Sequence, residues 1–222
     1  MSTFTVAAAQ YPLDRLESWA AYAAKLARWV AEAAAGGADL AVFPEYGAME
    51  LAALEPATMG DLAGSLASVA ALVGQVDALH AELAARHRLH LLAATMPVHL
   101  GGRHYVNRAR LFTPGGAAGW QDKLVMTRFE REQWHVSAGQ GLRLFETALG
   151  SLGVTICYDS EFPLLARALA EGGCEVLLVP SCTDSLEGYW RVRLGAQARA
   201  LEGQLVAVQA PTVGQAQWSP AV

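Results

Sequence analysis

Leu152-Gly153-Val154-Thr155-Ile156-Cys157-Tyr158-Asp159-Ser160-Glu161-Phe162-Pro163 reads as a buried strand that breaks into polar residues and then enters a helix. The run Leu152–Cys157 is apolar, β-branched and too short for a helix. Pro163 fits the first turn of a helix over Phe162–Ala170, where a missing N–H costs nothing. Downstream, Glu175–Val179 reads as a strand, Tyr189–Leu201 as a helix and Leu205–Ala210 as a strand. Upstream, Phe4–Gln10 is strand-like, and Trp19, Tyr22, Leu26, Trp29 and Val30 line one face of a helix over Leu16–Ala35, closed by Gly36-Gly37. Asp39–Phe43 is a buried strand ending at Pro44-Glu45. A long Ala/Leu-rich helical region covers Asp61–Arg88, with an interruption expected near Gly74. Strands His90–Val98 and Tyr105–Phe112 flank the turn Gly101-Gly102, and Pro114-Gly115-Gly116 marks another. Alternating strands and helices predict an α/β fold with helices packed outside sheets.

The 222 residues are 53% hydrophobic and 17% charged, which supplies a sizeable core and excludes intrinsic disorder. A single domain over 1–222 is the economical division, since no repeat or Pro/Ser-rich linker interrupts the chain. The net charge of −5 shows no clustered basic excess, so no nucleic-acid partner is expected. Apolar runs stop well short of a bilayer span, so no membrane association is expected. Three cysteines without a CxxC spacing argue against a disulfide scaffold and for a reducing, cytoplasmic setting. Neither metal-ligand spacing nor a phosphate-cradling glycine loop occurs, so no cofactor and no metal are expected.

Three chemically capable residues share one topological position. Glu45 follows the strand ending at Phe43, Lys123 follows Ala118–Asp122, and Cys157 closes the strand begun at Leu152. Active sites of open α/β sheets gather at the carboxyl ends of strands, so a carboxylate, an ammonium and a thiol there could meet. The residues alone leave alternatives open: a small buried core residue for Cys157, a solvated loop carboxylate for Glu45, a surface lysine for Lys123. The strand-to-helix turn favours a nucleophile at Cys157, because such turns expose the side chain beside free backbone N–H groups.

The segments Leu40-Ala41-Val42-Phe43-Pro44-Glu45, Asp122-Lys123-Leu124 and Gly153-Val154-Thr155-Ile156-Cys157-Tyr158-Asp159 resemble the three signature motifs of the nitrilase, or carbon–nitrogen hydrolase, superfamily, in the family's order. The resemblance runs from Val6–Gln10 to Ala207–Ala210. It implies an α-β-β-α sandwich paired into homodimers or larger assemblies, with a small-molecule amide as partner. It also implies a triad in which Glu45 is general base, Lys123 stabilises an oxyanion and Cys157 is nucleophile. A second family glutamate matches Glu130, with Glu132 as fallback. The backbone of Tyr158 would complete the oxyanion site, and Ser181, Cys182 and Thr183 are candidate substrate contacts. The implied activity is hydrolysis of a non-peptide amide or carbamoyl carbon–nitrogen bond through a thioester. The alternatives are acyl transfer from the same thioester and a catalytically silent ligand-binding or assembly domain.

Two departures from the family pattern stand out. Glu161 lies where many relatives carry arginine, which would favour a cationic substrate unless a local arginine such as Arg167 neutralises it. Family domains also continue for several strands beyond the point where this sequence reaches Trp218–Val222, so the family's C-terminal strands are expected to be missing and a sheet edge exposed. Cys174 is expected in the core. Arg191, Arg193 and Arg199 are expected on a solvated or interface face of their helix, and Tyr46 and Trp134 in the core or lining the pocket.

Overall fold

The computed structural model describes residues 3–216 and 218–219, so Pro220–Val222 of the C-terminal reading lie outside the described residues. Two sheets carry the fold. The first holds β1 (Val6–Ala8), β3 (Leu40–Val42), β4 (His90–Leu92), β5 (Met96–Gly101), β6 (His104–Phe112) and β7 (Ala118–Asp122). Its order is β1-β3-β4-β6-β5, with β7 also paired to β6. The second has the order β2-β11-β10-β9-β8, built from β2 (Tyr11–Pro12), β8 (Leu144–Thr147), β9 (Gly150–Val154), β10 (Val176–Ser181) and β11 (Val206–Val213). The central strands β1, β3 and β4 of the first sheet run parallel, as do β9, β10 and β11 of the second.

The layering follows from side-chain alternation along the strands. In β3 and the residue after it, Ala41 and Phe43 join one apolar cluster with Tyr22, Leu26, Val30 and Leu83 of helices α1 (Trp19–Ala35) and α3 (Val73–His87). Leu40 and Val42 face the opposite way, into a second cluster with Leu111, Leu152, Val154, Leu177 and Val179 of both sheets. That cluster also takes Ala166 and Leu169 of α5 (Pro163–Glu171), and Val192 and Ala196 of α6 (Leu186–Gly203). The result is helix, sheet, sheet, helix: the expected α-β-β-α sandwich. β10 is buried throughout, and its run Val176-Leu177-Leu178-Val179 is continuous rather than alternating because both of its faces are covered.

Several elements differ from the sequence reading. The helical region 61–88 breaks between α2 (Leu62–Ala70) and α3 at Ala71-Leu72, ahead of Gly74. His90–Val98 divides into β4 and β5, which follow one another antiparallel along β6 with a one-residue shift of register between Leu92↔Leu111 and Met96↔Arg108. The pair β2 and β8, a 3₁₀ segment Gly47–Leu54 and a short helix α4 (Arg128–Glu132) are additions. At the end of the described chain, β11 pairs along β10 on one side and with β2 only at Thr212 and Val213 on the other, leaving Val206 exposed. No single helix among the described residues is long and apolar enough to cross a membrane.

Candidate active site

Each of the three residues lies just past a strand. β3 continues through Phe43, whose N–H bonds Leu92, and Pro44 then ends the ladder. Tyr46 turns the chain in the left-handed region (φ 52°), its N–H donating to Thr95 Oγ1 at 2.8 Å. This turn drives Glu45 inward, where it is 2% exposed. Lys123 leaves β7 with its N–H bonded to the Asn107 carbonyl of β6 (2.9 Å) and is 1% exposed. Cys157 begins a 3₁₀ turn, Cys157–Glu161, at φ +48°, a conformation an L-residue adopts at a cost and one that turns its side chain out of the strand line. Helix α6 comes close beneath this turn. A Cβ on Gly195 would meet the Ser160 carbonyl at 3.1 Å, so glycine there sets the approach.

The side chains converge. Lys123 Nζ donates to Glu45 Oε1 at 2.7 Å and to Glu130 Oε2 and Oε1 at 2.7 and 2.9 Å. Glu130 is held by a capping box at the start of α4, where its Oε2 accepts from the Thr127 N–H (2.9 Å) and hydroxyl (2.8 Å). The Tyr46 hydroxyl donates to Glu130 Oε1 at 2.8 Å. On Glu45, Asn107 Nδ2 donates to Oε1 (2.9 Å) and the Cys182 N–H to Oε2 (3.0 Å). The Cys157 thiol lies 3.5 Å from the Cys182 carbonyl and also within hydrogen-bonding reach of Glu45. Asp159 fastens two of the three segments together: its carboxylate accepts the N–H groups of Leu124 (3.1 Å) and Val125 (2.7 Å), beside Lys123, and of Ile156 (3.1 Å), beside Cys157.

Burial sets the electrostatics. It pushes Glu45 up to about 7, against the opposing pull of Lys123, and raises Cys157 well above an ordinary thiol, with the Glu45 charge adding to the rise. Burial opposes the charge on Lys123, but Glu45 and Glu130 outweigh it and hold the ammonium protonated. Burial likewise works against an ionised Glu130, yet Lys123 and the Thr127 bonds keep it below the usual carboxylate value. The resting cluster is therefore a neutral thiol beside a carboxylate, rather than a thiolate preformed by the ammonium. Two carboxylates already surround one buried cation, and a thiolate would add a second uncompensated charge.

Most of the other sequence candidates find definite places. Cys182 contacts the cluster through its backbone N–H and carbonyl, and Cys182, Thr183 and Tyr158 are all partly exposed while Cys157 is buried. The Tyr158 ring packs edge-on against Phe162. Ser181 is buried, its hydroxyl accepting from Gln209 at 3.2 Å. Glu130, not Glu132, completes the cluster, since Glu132 pairs on the surface with Arg128 and Arg131. Glu161 is neutralised, but by Arg191 (2.6 Å) from α6, while Arg167 pairs with Glu171. Arg191 is exposed, as expected of a solvated face, and its guanidinium also lies 5.7 Å from the centroid of the Tyr158 ring. Arg199 departs further from expectation: it is buried, reaching the Ser160 carbonyl and Glu202. Cys174 is in the core as expected. Trp134 packs on Tyr46 with ring centroids 4.8 Å apart. The sequence reading missed Asn107, the Tyr46 hydroxyl and the stapling role of Asp159. Of the surrounding framework, only Thr127-Arg128-Phe129-Glu130 carried a readable signal, the S/T-x-x-E capping pattern. Among the described residues, no three His, Cys, Asp or Glu side chains group as a metal site.

Fold and site together define an α-β-β-α protein with a buried Glu-Lys-Glu cluster around a cysteine at a strand-to-helix turn. The family model described as carbon-nitrogen hydrolase matches residues 5–219, and the chain belongs to that family. Over 205 residues, 92% of the chain, it is 34% identical to a probable hydrolase YhcX of Bacillus subtilis (strain 168), of which it spans 39%. An aliphatic nitrilase of Sinorhizobium fredii (strain HH103) is 32% identical over 165 residues, covering 70% of this chain and 53% of the nitrilase. A deaminated glutathione amidase of Yersinia enterocolitica is 38% identical over 87 residues, 38% of this chain and 30% of the amidase. The chain thus spans roughly a third to a half of these relatives' lengths. Among solved structures, a carbon-nitrogen hydrolase from Helicobacter pylori G27 matches with a TM-score of 0.76 at 21% identity, covering 97% of this chain and 75% of that one. A glutamate-to-glutamine mutant of an amidase from Nesterenkonia sp. AN1, showing covalent addition of the acetamide moiety of fluoroacetamide at its active site cysteine, matches with a TM-score of 0.71 at 23% identity, covering 95% of this chain and 75% of that one.

Proposed function

We propose that this chain hydrolyses a small non-peptide amide or carbamoyl carbon–nitrogen bond through a thioester on Cys157. The observation that carries this reading is the convergence of Glu45, Lys123 and Cys157, far apart in sequence, within hydrogen-bonding reach around one buried carboxylate. Cys157 Sγ attacks the amide carbonyl as its proton passes to Glu45. Lys123 and the Tyr158 N–H receive the oxyanion, and each such donor contributes about 3–4 kcal/mol to transition-state stabilisation. Protonated Glu45 then gives its proton to the departing nitrogen as the C–N bond breaks, leaving the acyl group on sulfur. A water loses its proton to Glu45 and attacks the thioester. The C–S bond breaks, the acid leaves, and the thiolate recovers the proton. Glu130 keeps Lys123 protonated and aimed throughout. The amidase and nitrilase names among the relatives, and the cysteine adduct of the Nesterenkonia protein, support this chemistry.

The test is mass spectrometry of the intact chain and of Cys157→Ala after mixing with a panel of small amides and fluoroacetamide. An acyl adduct on the Cys157 peptide, with ammonia or amine released and no adduct in the variant, is the expected result. Turnover undiminished in Cys157→Ala would overturn the reading.

A further inference from the structure

We propose that Asn107 is a positioning residue that decides which oxygen of Glu45 serves Cys157. This inference rests on the reading of Glu45 as the base. Asn107 sits in the middle of β6 with no exposure to solvent, and its one side-chain hydrogen bond is the 2.9 Å donation to Glu45 Oε1. Its own Oδ1 is buried without a hydrogen-bond partner among the described residues. A buried amide with one end unsatisfied is poorer than an apolar side chain for packing alone, so its presence calls for another reason.

The lone pairs of Glu45 supply that reason. Each carboxylate oxygen offers two acceptor sites. Oε1 uses both, on Lys123 Nζ and Asn107 Nδ2, while Oε2 uses one, on the Cys182 N–H. The single vacant site is therefore on Oε2, the oxygen tied to the same Cys182 peptide whose carbonyl lies 3.5 Å from the Cys157 thiol. Without the Asn107 donor, Oε1 would gain a free lone pair and the carboxylate a second orientation. Asn107 also favours the ionised carboxylate, because its N–H can only donate. The other titratable groups around Glu45 are Lys123 beyond β7, Glu130 of α4, Tyr46, Cys157 and Cys182, and none of them is a neutral donor to Oε1.

Alkylation of Cys157 by iodoacetamide, followed on its own peptide across pH 5–9, reads this without any substrate. The full chain is compared with Asn107→Leu, Asn107→Asp and Glu45→Gln, with thermal melts alongside. The unaltered chain should show a rate inflection that disappears in Glu45→Gln. If Glu45→Gln keeps the inflection, Glu45 is not the base, and the proposed function fails with it. If the inflection is lost there, the Asn107 variants decide. Both should move it upward by about half to one pH unit, since Leu removes the donor and Asp removes it and adds a like charge. The alkylation rate at pH 6 would then be several-fold lower, with little change at pH 9. Asn107→Asp keeps the shape of the side chain and remains decisive if Asn107→Leu does not melt cooperatively. A Glu45-dependent inflection that stays in place in the folded Asn107 variant overturns the role assigned to Asn107 and leaves the base assignment standing.

Discussion

Lys123 is the single cation between two buried carboxylates, and that count governs the residue-scale chemistry. Removing it leaves two like charges facing one another out of water. Lys123→Met should therefore destabilise the chain by about 3–5 kcal/mol, the range for breaking a buried pair by deleting one partner. Urea unfolding at pH 7.5 measures this, and a loss under about 1 kcal/mol would mean that water reaches the cluster. The pH dependence follows from Glu45. Its carboxyl is raised to about 7, so below that pH it holds its own proton and cannot take one from Cys157. On the proposed mechanism, kcat/KM for amide hydrolysis should accordingly rise through an acid limb near pH 7, where an ordinary carboxylate would place it near 4–5. A flat profile between pH 5 and 8 would contradict Glu45 as base. Little of this was legible beforehand. Motif order identified Glu45, Lys123 and Cys157, but nothing along the chain marks Asn107 as their neighbour. It contributes through a strand pairing that only the folded sheet creates.

At the scale of elements, the site is an assembly of turns, and its precision depends on what joins them. Asp159 bonds three backbone N–H groups from two segments, and burial raises its carboxyl to about 6. Asn at this position turns one acceptor oxygen into an NH₂ that faces an N–H donor. Asp159→Asn should cost about 1–3 kcal/mol by thermal melt and lower kcat more than it raises KM, because Lys123 and Cys157 lose their common anchor. Unchanged kcat in a stable Asp159→Asn protein would show that the two turns hold their positions independently. The same scale explains which elements the sequence revealed. α1, α5, α6 and the buried parallel strands carry long periodic or continuous apolar patterns. By contrast α4 is five residues, β2 is two, and β7 and β8 mix polar with apolar residues at the borders of their sheets, so their patterns are too short or too mixed to decide. The strands β2, β7 and β8 form because β11, β6 and β9 offer them partners, a tertiary cause that local propensity does not contain.

For the whole molecule, the outer helices carry a feature the sandwich itself does not need. Leu186, Trp190, Leu194 and Leu201 of α6 recur at helical spacing and are all exposed, Leu201 by 81%, and Leu164 of the adjoining α5 is exposed by 77%. The inward face of α6 is separately satisfied by Val192 and Ala196 against the second sheet, so this stripe is additional to the core. An apolar stripe left in water on a helix already docked on its other side is the pattern of an association surface. Self-association through α5 and α6 is the expected outcome, in keeping with the homo-oligomer implied by the family resemblance. Sedimentation velocity at micromolar concentration should give a dimer or larger species. The double substitution Leu194→Glu and Leu201→Glu should shift it to monomer while leaving the melting temperature of the fold within a few degrees, because neither side chain is in the core. A monomer for the unaltered chain across that concentration range would remove this surface from the assembly. An oligomer that persists in the double variant would place the contact elsewhere on the molecule. The stripe also runs along the helix that supports the Cys157–Glu161 turn, with Arg191 on Glu161 and Gly195 beneath Ser160. If association orders α6, the monomeric variant should lose the proposed amide hydrolysis at unchanged melting temperature, which would couple assembly to the Cys157 turn.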